Sequence, residues 1–174
     1  MKLSIFSRPT ALISLIVVSF GIIGASFFAT LWLLDNEWDV KYEVAELFLA
    51  KDLPSLTGRL NERGARVATE GIDKPGFVTF GPYITPKKGT YQIHIYYSSS
   101  AALAQSVGTW DIIKGAGAVT LSKGSLNGTN GKTETISASF DASDLTPTKY
   151  EFRNSWNGSK DIEISKIEQL VQRP

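Results

Sequence analysis

Two periodicities divide the chain. From about residue 65 onward apolar and polar residues alternate every second position, the period of a half-buried strand. Alternating runs at 65–70, 77–80, 90–98, 108–114, 118–122, 133–140, 149–154 and 161–167 predict eight short strands. Turn-forming stretches separate them: KKG at 87–89, KGAG at 114–117, NGTNG at 127–131 and NGS at 157–159. Strands so punctuated predict a mainly β protein, an antiparallel β-sandwich over residues 65–174. The clearest run is GTYQIHIYYSSS at 89–100, with Tyr91, Ile93, Ile95 and Tyr97 on one face and Gln92, His94, Tyr96 and Ser98 on the other. The first set predicts core. It should meet Val119 and Leu121, Ile136, Ala138 and Phe140, Tyr150 and Phe152, and Ile162 and Ile164, with Trp110 and Ile112 inward and Asp111 outward.

Before residue 65 the apolar spacing is that of helices. Residues 10–34, TALISLIVVSFGIIGASFFATLWLL, are 25 without a charge. That is enough for one transmembrane helix across a hydrocarbon core of about 30 Å. A cleaved signal peptide is the rival reading, but its apolar region is shorter, about 7 to 15 residues. Lys2 and Arg8 precede the run, and Asp35, Glu37 and Asp39 follow it. The positive-inside bias then places residues 1–9 in the cytoplasm, and the rest periplasmic or extracellular, as for a protein of a bacterial inner membrane. Ser14, Gly21, Ala25 and Ala29 form a small-residue stripe on which another membrane helix can pack, although small residues are common in such helices. Residues 35–64 carry apolar positions at Val44, Leu47, Phe48, Leu56 and Leu60, which predict an amphipathic helix and a linker broken at Pro54.

Composition mainly excludes. Eighteen basic residues against seventeen acidic give a net charge of +1, too little to draw the chain onto nucleic acid. With no cysteine and one histidine there is no disulfide, thiolate zinc site, cysteine nucleophile or multi-histidine metal centre. His94 sits mid-strand, away from any serine it could activate, and no acid lies in a recognisable catalytic motif. The chain therefore reads as a non-enzyme without a cofactor.

The segments VTFGPYITPKKGTYQIHIYYSS (78–99) and YEFRNSWNGSKDIEISKIEQL (150–170) resemble the jelly-roll domains of the carbohydrate-binding-module and galactose-binding-like type. The resemblance spans roughly residues 65–171. It implies a non-catalytic jelly roll that often binds glycan, with Gly81, Pro82, Gly89 and Tyr91 in structural roles.

Sugar recognition needs an apolar face for the ring and bidentate polar groups for its hydroxyls. Gln92, His94 and Tyr96 offer that combination on a strand face, although a solvated sheet face needs no ligand to exist. Arg153, Asn154, Trp156 and Asn157 lie where a strand gives way to a loop, and Trp156 reads equally as a plug of the core. Asp141 and Asp144 are weak calcium candidates, since two carboxylates fall short of six to eight oxygens and aspartate is common in turns. Asn127 and Asn157 match the glycosylation acceptor pattern, for which a tight turn is sufficient reason. Two functions remain: a membrane-tethered module that binds glycan or envelope polysaccharide, and a structural subunit of a membrane complex that packs on another membrane protein through its helix.

Overall fold

A computed structural model describes residues 41–173. The membrane run at 10–34 and its Ser14, Gly21, Ala25 and Ala29 stripe lie outside them. Among the described residues no helix is long and apolar enough to cross a membrane.

Among the described residues eleven strands follow one another: β1 (Tyr42–Leu49), β2 (Arg59–Leu60), β3 (Arg66–Ala68), β4 (Gly76–Thr79), β5 (Pro82–Ile84), β6 (Gly89–Ser99), β7 (Ser106–Lys114), β8 (Val119–Asn127), β9 (Glu134–Ala142), β10 (Tyr150–Trp156) and β11 (Ile162–Gln172). They form two antiparallel sheets. The first has the order β2-β3-β11-β6-β9, with β1 also on β11, and the second β4-β10-β7-β8, with β5 also on β10. In each sheet two strands share one side of a longer partner. β11 pairs with β3 through Ile162–Ile164 and with β1 through Lys166–Gln172. β10 likewise pairs with β5 at Tyr150 and Glu151 and with β4 from Asn154 on. At the break between β4 and β5 the Phe152 amide donates to the Gly81 carbonyl at 2.6 Å, so the backbone stays satisfied there.

The two sheets bury their facing sides against each other. Tyr91, Ile93, Ile95 and Tyr97 are all in this core, with Ile112, Phe140, Tyr150, Phe152, Ile162 and Ile164. Phe140 joins the layers: its ring lies 5.4 Å from Tyr91 in its own sheet, and 5.5 and 5.9 Å from Tyr150 and Phe152 in the other. Trp110 is also inward, and lies flat where β8 has Gly124; a Cβ there would come within 2.7 Å of the indole. Val119, expected inward, is 44% exposed, at the first position of β8, an edge strand of the second sheet.

Residues 42–60 differ from expectation. No helix forms over Val44, Leu47 and Phe48; they belong to β1, and Leu56 and Leu60 are exposed outside any helix. The cause is a bulge. The β1–β11 register shifts between Val44 and Glu46, leaving Ala45 as an extra residue, so Val44 and Leu47 share a face three residues apart. That spacing is also helical. The sandwich thus begins well before residue 65, at β1.

Candidate functional site

The outer face of the first sheet is built from cross-strand pairs, whose members share a face. Ser139, Gln92, Leu170 and Val44 form one row across β9, β6, β11 and β1. Ser137, His94, Glu168 and Leu47 form the next, and Thr135, Tyr96, Lys166 and Leu49 a third. With strands about 4.8 Å apart and rows about 6.8 Å apart, the platform measures roughly 14 Å each way. Its character changes by column: hydroxyls on β9, then amide, imidazole and phenol on β6, a leucine and two charges on β11, and exposed aliphatics on β1, where Val44 is 60% and Leu47 52% exposed.

Hydrogen bonds hold the middle columns. The Tyr96 hydroxyl donates to Glu168 Oε2 at 2.7 Å, and Lys166 Nζ reaches Glu168 Oε1 at 2.5 Å while lying 4.2 Å from the centre of the Tyr96 ring. Lys166 thereby covers one face of that ring. His94 Nε2 meets Gln92 Oε1 at 3.1 Å, and its ring stands edge-on to Tyr96. Burial acts to raise the Glu168 pKa, but the hydrogen bonds from Lys166 and Tyr96 outweigh it, so the carboxyl lies below the ordinary glutamate value. That bond to a carboxylate, with burial behind it, pushes the Tyr96 phenol up. At neutral pH the platform therefore holds a carboxylate and a neutral phenol side by side. Sequence reading placed Gln92, His94 and Tyr96 on an outward face but did not group Lys166, Glu168 or the β1 column with them. A second bulge between Ile164 and Lys166 shifts the phase of β11 midway and hides which residues face outward.

The other candidates are placed differently. Trp156 is 2% exposed, and its indole donates to the Lys160 carbonyl at 2.7 Å; it is the plug of its end of the core. Asn154 is fully buried between the sheets, where Nδ2 donates to Thr79 Oγ1 at 2.9 Å, so neither residue presents a surface to a ligand. Asn157 stays exposed and shapes a turn, accepting from the Ser159 amide and donating to the Ser106 carbonyl. Arg153 faces out from the second sheet, in a two-bond pair with Asp111 (2.7 and 2.5 Å), its guanidinium 5.3 Å from the Phe77 ring centre. The four therefore do not converge. Asp141 accepts from Thr90 at 2.8 Å, whereas Asp144 accepts from Lys114 at 2.5 Å and Tyr150 at 2.7 Å. Among the described residues no group of three or more His, Asp or Glu could hold a metal ion.

No family model matches the chain, and no curated protein matches it in sequence. Solved structures do show a likeness. Carbohydrate-binding modules are among them. The C-terminal CBM6 of the laminarinase LamC from Zobellia galactanivorans has 15% identity and a TM-score of 0.46, covering 75% of this chain and 99% of that one. The module CBM6cm-2 of Cellvibrio mixtus lichenase 5A, in complex with cellotriose, has 16% identity and a TM-score of 0.45, covering 76% and 99%. A CBM36 module in complex with calcium and xylotriose follows at 14% and 0.43, covering 71% and 98%. At this similarity no site residue is carried from them to this chain.

Proposed function

We propose that the chain is a non-catalytic module whose sandwich, a jelly roll, binds glycan on the outer face of its first sheet. One observation carries this reading: the four-column platform, on which groups that donate and accept hydrogen bonds stand beside an exposed aliphatic strip. A saccharide has the same two-sided chemistry, hydroxyls around the ring and C–H groups on its faces. Gln92, His94 and Glu168 address the hydroxyls, and Leu47 and Leu170 the ring. The apolar run at 10–34, read as a membrane anchor, would hold the module at a cell surface facing envelope polysaccharide.

A glycan array probed with the full chain in detergent tests it, beside the His94→Ala/Glu168→Ala double variant. Binding of at least one oligosaccharide, lost about tenfold or more in the double variant with the thermal midpoint retained, is expected. Retention by wild type of no glycan would sink the proposal.

The exposed Val44, Leu47 and Leu49 column supports a second reading, in which the platform seats against a partner subunit of a membrane complex. Purification in mild detergent followed by mass measurement separates the two. A stoichiometric companion chain released by Val44→Ser/Leu47→Ser, without any glycan bound, would favour the subunit.

A further inference from the structure

A groove of about 880 Å3 runs along the other side of β1, between that strand and residues 84–91, which carry the chain from β5 into β6. The end of β11 closes it. At its floor lies Gln169, only 2% exposed, and its carboxamide oxygen has no hydrogen-bond partner. The register explains its position: Gln169 stands opposite Ile93 on β6 and Glu46 on β1, on the inward face of the sheet. An aliphatic residue would fill this place without penalty, whereas a buried unpaired oxygen costs about 1–3 kcal/mol. The amide has two ways to face the groove, since a half-turn about its last bond exchanges oxygen and nitrogen. A partner that both donates and accepts, a hydroxyl, satisfies either.

The rim adds charge. Lys87 and Lys88 line one side, and among the described residues neither forms an ion pair. Arg173 also borders the groove but is paired with Glu43. Glu46 faces the lysines from β1 and supplies a second acceptor for hydroxyls. The loop bearing the lysines is pinned from below, because the Tyr91 hydroxyl donates to the Lys87 carbonyl at 3.0 Å.

We propose that this groove is a second saccharide site, distinct from the platform, which takes a sugar acid of the uronic-acid type. Its hydroxyls meet the Gln169 carboxamide and Glu46, and its carboxylate meets Lys87 and Lys88. The two sites lie on opposite faces of the sheet, so each can fail without the other.

The test uses the full chain in detergent, titrated with glucuronate, glucose and acetate. Glucuronate is expected to bind about tenfold more tightly than either, with the advantage over glucose shrinking in high salt as exposed charges are screened. Gln169→Leu, which removes the unpaired oxygen at similar volume, should keep or raise the thermal midpoint and lose glucuronate binding about tenfold. Lys87→Ala/Lys88→Ala should bring glucuronate down to the level of glucose. No saturable glucuronate binding by wild type, acetate binding as well as glucuronate, or full binding by Gln169→Leu would each overturn the proposal. So would displacement of glucuronate by an oligosaccharide that the platform retains, because both would then share one surface.

Discussion

Asp144 shows how much a single side chain can hold. Its carboxylate takes hydrogen bonds from Lys114 and from the buried Tyr150, and these lower its pKa below the ordinary 3.8. Burial, and then Asp144 itself, push the Tyr150 phenol up, so it stays protonated and remains a donor. A carboxyl with a lowered folded-state pKa stabilises the fold above its unfolded pKa, and loses that contribution as pH falls through the folded one. Asp144→Asn should accordingly lower the thermal midpoint at pH 7, and the gap should close as pH is taken well below 3.8. An equal gap at both pH values would mean that charge has no part in it. Nothing in the sequence marks this role, since Lys114 lies thirty residues away. Asn154 is a similar case: its composition and place before a loop look like a binding residue, and only the pairing with Thr79 across β4 and β10 shows it to be interior.

Among the strands, legibility depended on whether the alternation stayed in phase. β6 keeps strict alternation through eleven residues, and both of its faces could be read from the sequence. β1 does not, because its bulged Ala45 gives Val44 and Leu47 a helical interval, and a bulge is decided by the neighbouring strand rather than by local preference. The short β2 and β5 were also missed: two and three residues are too few for a period to show. Gly124 is the converse case, a residue that looks like a weakness in a strand and is in fact a seat for Trp110. Gly124→Ala should cost about 1–3 kcal/mol in urea unfolding through overpacking, with a shift in tryptophan emission. A neutral result would show that the indole can move aside.

The whole sandwich gives β1 an unusual position. Its outer side completes the platform with Val44 and Leu47, and its other side walls the groove with Ala45 and Glu46. A single edge strand thus serves both proposed sites. The sequence disclosed the two-layer plan and most of the core, because burial on one face imposes a pattern. It did not disclose either surface in full, because a surface is assembled from residues of several strands whose mutual register no single strand encodes.

That same strand brings the two ends of the described chain together. The Arg173 amide donates to the Lys41 carbonyl at 2.8 Å, and the Arg173 side chain holds Glu43. Entry and exit therefore form a clasp, and the sandwich has the connectivity of an almost closed loop of chain. Such a unit can be spliced into a host protein through one short gap, or recut. A circular permutant that joins residue 173 to 41 and opens the hairpin at 115–118 should fold with its strand pairing intact, as far-ultraviolet circular dichroism would show.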